Sequence, residues 1–337
     1  MQSSSPGTQM TSGPRVHAHR PLFVAATLLA AAVGTATFVL MRAHQRPTEE
    51  HVPAALVRFT PVVPGAVFSG TGRDTWDREI RERGFIVFEN GEYRLYYTGY
   101  NDNPTDTHRT PWPSLGLAHS VDGITWTRDG DAPLFSGVWT EDVHVSRDAD
   151  GYFVVAEGAN DVAHALTSAD GLTFTERGAL DIRGRNGHPI SAGPYGTPTL
   201  WKEGGRYFLF YERNDTGIWV ATSSDRKVWT NVDDDPVLSP GPDDYDKFAV
   251  ALNQVVKRDG RYYAYYHARA AHHVDGPWTT NLAVSDDLIH WRKYAHNPVL
   301  ACDCSSAVYV QEGPRPLLFT MHPEVRVWTP TTASETP

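Results

Sequence analysis

One nine-residue phrase recurs four times along the chain, and that recurrence restricts the fold more than any other feature. It reads Ala118-His-Ser-Val-Asp-Gly-Ile-Thr-Trp126 and returns at residues 166–174, 221–229 and 283–291, its closing aromatics 48, 55 and 62 residues apart. Each copy has the form of a strand, a Ser/Asp/Gly turn and a second strand ending on an aromatic ring. A second phrase precedes each copy: an apolar strand, a turn ending in Gly, and an aromatic-rich strand. Its first instance is Phe85-Ile-Val-Phe-Glu-Asn-Gly-Glu-Tyr-Arg-Leu-Tyr-Tyr97, and the others surround Gly151, Gly205 and Gly260. The two phrases together supply four strands per unit, the content of one propeller blade. A fifth unit is split. Residues 307–310, 317–321 and 325–328 provide three strands, and residues 62–69 near the start provide the fourth. Such a closure removes the open sheet edges. A β-sandwich does not repeat a four-strand unit in register. The expected fold is therefore all-β: a five-bladed β-propeller over residues 62–330, with four-stranded antiparallel blades and the last blade closed by the N-terminal strand.

The 337 residues suit one such domain. The chain carries 10 Trp and 15 Tyr, rings that fill sheets and also stack on sugars. A net charge of −10 argues against nucleic acid as a partner, because that binding needs a basic face. The only cysteines are Cys302 and Cys304, spaced too tightly for a relaxed disulfide and too few for a zinc site, so they read as reduced or strained. Residues 21–41 hold no charged side chain between Arg20 and Arg42, long enough to cross a bilayer. Arg15 and Arg20 precede the segment and Glu49 and Glu50 follow it, which places residues 1–20 in the cytoplasm as the short end of a single-pass signal-anchor. The rival reading is a cleaved signal peptide, with Thr35-Ala36 as the small-residue site. Either way the large domain is exported, held at the cell membrane or secreted. Residues 42–61 read as a linker and 331–337 as a tail.

The blades can be aligned by setting each turn Gly at position ten and counting back. Position one, at the entrance of the innermost strand, is then Glu82, Asp142, Gly196, Ala251 and Cys304 in successive blades. Carboxylates at the mouth of buried strands are not required by packing. A pair facing one cleft is what glycoside cleavage needs, one protonating the leaving oxygen and the other activating water or attacking carbon. Arg81 and Arg83 flank Glu82, and a nearby cation keeps a carboxylate ionised, as a base must be.

With these phrases and acids the chain resembles the five-bladed glycosidase clan that includes glycoside hydrolase families 32, 43, 117 and 130. The resemblance rests on Asn90-Gly-Glu-Tyr-Arg-Leu-Tyr-Tyr97 and Ser120-Val-Asp-Gly-Ile-Thr-Trp126. It implies that Glu82 is the general base and that Asp142 orients substrate and tunes the acid. In family 43 the acid is a blade-three Glu; this chain reads Tyr195-Gly-Thr-Pro-Thr199 there, with Gly196 at that place. Glu212 is the first candidate to replace it, at the end of an aromatic strand in the same blade. Glu157 is the second and His267 the third. Trp76 is expected to stack on sugar, Asp77 and Glu79 are alternative bases, and Glu141, Tyr195, Asn253, Gln254 and His322 are expected to line the substrate site. The expected partner is a carbohydrate and the expected state a monomer. The chemistry requires no cofactor; the resemblance allows a structural calcium in the central channel, though no ligand set in the sequence demands one. Acid and base facing each other across the funnel would invert the sugar's stereochemistry. Two further readings stay open. A phosphorylase would need Arg81, Arg213 or Arg269 to form a phosphate pocket, and a surface carbohydrate-binding propeller would need no acid at all.

Overall fold

The computed structural model describes residues 51–191, 193–271 and 276–331. Residues 1–20, the apolar segment 21–41, residues 42–50 of the linker, the pair His272-His273 and the tail beyond Thr331 lie outside the described residues. Among those described, no helix is long and apolar enough to cross a membrane.

Five antiparallel sheets form the five blades of a propeller, as the repeat predicts. The inner strands are Phe85–Glu89, Glu141–Asp148, Gly196–Glu203, Ala249–Arg258 and Val308–Val310. Each pairs with a second strand: Glu92–Tyr100, Gly151–Glu157, Arg206–Glu212, Arg261–Arg269 and Leu317–Thr320. The recurring Ser-x-Asp turns are structural. In the first, the Asp122 carboxylate accepts from the Ile124 and Thr125 backbone amides while the Ser120 hydroxyl accepts from Gly123. The other three copies repeat the pattern at Asp170, Asp225 and Asp287.

The fifth blade closes as expected, but with an earlier strand. Phe59–Pro61 pairs with Arg326–Pro330, and residues 62–69 add only a bridge from Phe68 to Val325. The folded unit starts at Val52, upstream of the expected boundary at 62. Residues 52–61 are thus part of the domain and not linker: Leu56 is buried, and its carbonyl accepts the Tyr265 hydroxyl. Cys302 and Cys304 form a disulfide across their two-residue spacing, so of the two expected states they are not the reduced one.

Arg83 is the hub of the ring. Its guanidinium is fully buried and donates to the carbonyls of Asp142, Pro198 (2.7 Å), Leu252 and Asn253 (both 3.1 Å), and to the Thr199 hydroxyl (2.6 Å). One side chain of blade one therefore joins blades two, three and four. Converging carbonyls are what a central calcium would use. Here the guanidinium takes them, so these residues do not fit a calcium at that point. No group of three or more His, Cys, Asp or Glu among the described residues could hold a metal ion. Gln254 was expected to meet substrate but instead stitches blade four to blade five. Its amide accepts from the Tyr309 N–H (2.6 Å) and donates to the Tyr309 carbonyl (3.1 Å).

Arg83→Met should take the guanidinium donors away from four buried carbonyls, of which those of Leu252 and Asn253 keep a second donor in the Thr199 hydroxyl, a loss on the order of 3–5 kcal/mol and about 10 °C in Tm. Arg83→Lys should recover little, because an ammonium cannot span the same forked set of acceptors. Thermal unfolding within about 2 °C of wild type for Arg83→Met would refute the hub role.

Candidate active site

Strand register corrects the alignment of blade two by one residue. Ladder partners Glu89 and Glu92, Asp148 and Gly151, Glu203 and Arg206, and Arg258 and Arg261 flank two-residue turns. The turn of blade two is therefore Ala149-Asp150, and Gly151 already belongs to the second strand. Counting from equivalent turns, Glu141 and not Asp142 shares the position of Glu82, Gly196 and Ala251. The cross-strand pairs Glu141–Glu157, Gly196–Glu212 and Ala251–His267 then occupy one level in three blades.

Immediately below that level, all three inner strands carry a bulge, between Glu141 and His144, Gly196 and Thr199, and Leu252 and Gln254. A bulge re-aims side chains at a strand end. It brings Asp142 (φ 47°) and Thr197 (φ 41°) into left-handed backbone, strained for residues with a Cβ and typical of functional sites. Asp142 consequently reaches the hub, where its carboxylate accepts the Arg83 backbone N–H at 3.3 Å.

Gly196 is the pivot of the site. A methyl group placed on it would overlap both Glu157 Oε2 and Glu212 Oε1. The space vacated by the missing side chain is filled by two carboxyl groups, one from blade two and one from blade three. Backbone amides hold them there. Thr197 N–H donates to Glu157 at 2.7 Å, and Gly196 N–H donates to Glu212 at 3.1 Å, with Asp215 N–H on its other oxygen. Glu212 is 5% exposed. Burial first, then the charge of Asp215, pushes its carboxyl up to about 8. Glu157 is raised well above its ordinary value by burial and by Asp142.

The inner-strand entrances of blades one and two carry further acids. The Glu82 side chain is 38% exposed, and His322, bonded to the Arg81 carbonyl at 2.6 Å, stands 3.8 Å from its carboxylate. Desolvation, then Asp142 and Glu141, raise Glu82 to about 8. The expectation that flanking arginines keep Glu82 ionised therefore fails: Arg83 turns to the hub, and Arg81 lies over the Tyr100 ring at 4.2 Å. Glu141 accepts the Tyr100 hydroxyl at 2.6 Å and sits at about 7, raised chiefly by burial and then by Asp142. Asp142 is itself raised by burial, against the pull of Arg83. His267 lines the blade-four side. It accepts from the Asn253 amide at 2.8 Å, and burial followed by the charge of Arg83 lowers it to about 3, so it is neutral at pH 7.

Four further expected site residues lie elsewhere. Trp76 is buried against the Tyr97 ring, wedged over Gly99 and Gly116, and cannot stack on a ligand. Asp77 is 2% exposed and paired with Arg128 and the Tyr97 hydroxyl (3.0 Å), a structural pair inside blade one. Tyr195 packs edge-on against Tyr211 in the blade-three core. Glu79 points to solvent in a short edge strand. Sequence reading missed Asp215, raised by burial and Asp142 to about 6, and Tyr100, which orients Glu141. Both follow second-strand ends, the places that yielded Glu157 and Glu212. It also passed over Trp278, whose ring stands 5.0 Å from His267.

Comparison with known proteins bears on this geometry. No family model matches the chain. A 1,2-β-oligomannan phosphorylase from Thermoanaerobacter sp. is 23% identical over 262 residues, 69% of this chain and 84% of the relative. Among solved structures, a glycosyl hydrolase from Bacteroides ovatus superposes with a TM-score of 0.68 at 15% identity, covering 86% of this chain and 98% of the other. A structure described under glycoside hydrolase family 130, for hydrolases of β-1,2 mannosidic linkages in Candida mannan, gives 0.69 at 15% identity over 86% and 98%. This chain has the fold of the five-bladed glycosidase propellers. The β-1,2-mannobiose phosphorylase of Listeria innocua shares it at a TM-score of 0.59 and 15% identity, over 81% and 95% of the two chains. That one scaffold carries both hydrolases and phosphorylases makes the cleft, and not the fold, decisive for the reaction.

A carboxyl raised in the folded state takes stability away as pH climbs from its unfolded value near 4.5 to its folded value. For Glu212 that window runs from about 4.5 to about 8. Glu212→Gln should therefore gain on wild type between pH 5 and pH 8.5, by roughly 2–4 °C in Tm per kcal/mol relieved. An equal Tm difference at both pH values would show that Glu212 is not held protonated.

Proposed function

We propose that the chain is a carbohydrate-active enzyme, a glycoside hydrolase cleaving an oligo- or polysaccharide with carboxyl acid and base. The observation that carries this reading is the pair Glu157 and Glu212 in the space over Gly196. It restores a protonated acid at the blade-three position where the resembling family places one. Glu212 donates its proton to the glycosidic oxygen. Asp215, raised to about 6, ionises before Glu212 and holds that proton in place by its charge. Glu141, beside Glu157 in blade two, ionises before Glu82 and is the base that activates water near neutral pH. Asp142 acts by charge on both Glu82 and Glu157. Inversion is expected where acid and base stand roughly 6.5–9.5 Å apart, enough for the water between them.

The electrostatics favour water over phosphate as acceptor. Glu82, Glu141, Asp142, Glu157, Glu212 and Asp215 influence one another's ionisation, and a phosphate dianion entering among them meets repulsion. The cations that could offset it are engaged: Arg213 donates to Ser191, Arg269 to the Gly276 carbonyl, and Arg81 covers Tyr100. The name of the Thermoanaerobacter relative favours the phosphorylase reading and also suggests the first substrates to try, β-1,2-linked mannosides. The apolar segment at residues 21–41 supports an extracytoplasmic location, which fractionation of cells expressing the whole chain would test.

Glu212→Gln and Glu157→Gln should each lower kcat by about 10²–10⁴ while leaving glycan affinity near wild type. Product release should not depend on inorganic phosphate, and wild-type kcat/KM should decline above about pH 8 as Glu212 loses its proton. A sugar 1-phosphate product would establish the phosphorylase instead. Near-wild-type turnover by Glu212→Gln would remove it as the acid.

A further inference from the structure

Second strands end, and inner strands begin, on one face of the ring. On that face a pocket of about 330 Å³ opens between blades one and two, outside the acidic cleft. Its size falls in the ~300–1,000 Å³ range of small-molecule sites. Trp112 arrives from the loop between the second and third strands of blade one, and Trp139 from the link into blade two. The two rings stand 6.3 Å apart at 56°, and Trp112 is 42% exposed, one of the few large apolar side chains left open. Isolated exposed apolar residues need no explanation, but a pair forming one wall of a concavity does. Gly158 and Val162 line it as well, and a Cβ on Gly158 would strike the Val162 carbonyl.

The polar side of the pocket is built from His164 and Glu176. His164 is 4% exposed with both ring nitrogens enclosed, and the Glu176 carboxylate, 4.0 Å away, is the half-open polar group. A half-open carboxylate beside aromatic rings is suited to accept from hydroxyl groups. The pocket adjoins the acidic cleft along the chain: Trp139 lies two residues before Glu141, and Gly158 directly follows Glu157.

We infer that this pocket is a second sugar subsite, where Trp112 and Trp139 stack on a unit of the glycan removed from the scissile bond while Glu176 takes its hydroxyls. The inference rests on the glycan-cleaving reading of the neighbouring cleft and assigns that cleft a preference for chains over disaccharides. Aromatic faces give sugars apolar contact at little entropic expense, and a polar rim gives orientation.

Native gels containing β-1,2-mannan, xylan or arabinan test it with the whole folded protein. At least one polysaccharide should slow the wild type. Trp112→Ala, at an exposed site that does not threaten folding, should weaken the apparent affinity about tenfold, and Glu176→Gln several-fold. On the retarding glycan, Trp112→Ala should lose kcat/KM for a tetrasaccharide and keep it for the disaccharide. Equal retardation of wild type and Trp112→Ala, or no retardation of wild type by any of the three, overturns the subsite. Retardation that depends on Trp112, with no sugar released by wild type over long incubation, sinks the hydrolase reading and leaves the subsite standing.

Discussion

The Arg83 guanidinium is the interaction on which the rest of this molecule depends. A buried charge is expensive unless its hydrogens find acceptors, and here both terminal nitrogens of the guanidinium do. In this ring the acceptors come from three other blades. The inner strands must therefore arrive at the centre at one level, with their carbonyls turned inward. The bulges in blades two, three and four provide that turn. They rotate backbone carbonyls toward the hub and, in the same step, lift the preceding side chains toward the mouth. Structure and site are thus two consequences of one backbone irregularity.

Above the hub the same crowding sets the chemistry. The acids of the cleft stand on strand ends that converge because the ring closes, so none can ionise independently of the others. The spread from about 6 at Asp215 through about 7 at Glu141 to about 8 at Glu82 and Glu212 follows from burial and from distance to neighbouring charges. Environments that push carboxyl groups apart in this way are how one cleft holds an acid and a base at one pH. Gly196 makes the arrangement possible by being absent as a side chain. Two carboxyl groups from neighbouring blades occupy the volume that one residue would fill, and the blade-to-blade contact becomes part of the site.

The propeller was legible in the sequence because its blades repeat residue types at turns and strand ends, and those depend on local backbone geometry. The Ser-x-Asp turns are the clearest case, each closed by hydrogen bonds within a few residues. Glu157 and Glu212 were legible for a related reason, since both sit at the end of a recognisable aromatic strand. Asp142 was found by an alignment one residue out of register, and the bulge returned it to the hub. Trp76, Asp77 and Tyr195 misled because aromatic and acidic types look alike in sequence whether they face a funnel or a core. Trp76 is committed to the core by Gly99 and Gly116, two absent side chains that make room for its ring.

What the sequence by itself determined is the number of blades, the strands within them, the closure by an N-terminal strand and the concentration of acids at strand ends. These follow from side-chain alternation, turn chemistry and repetition, all short-range along the chain. Only the tertiary structure decided which acids meet, which are protonated, and that an arginine occupies the centre. Those outcomes depend on groups from different blades sharing one desolvated volume, and the residues that share it are separated by as many as 170 positions along the chain.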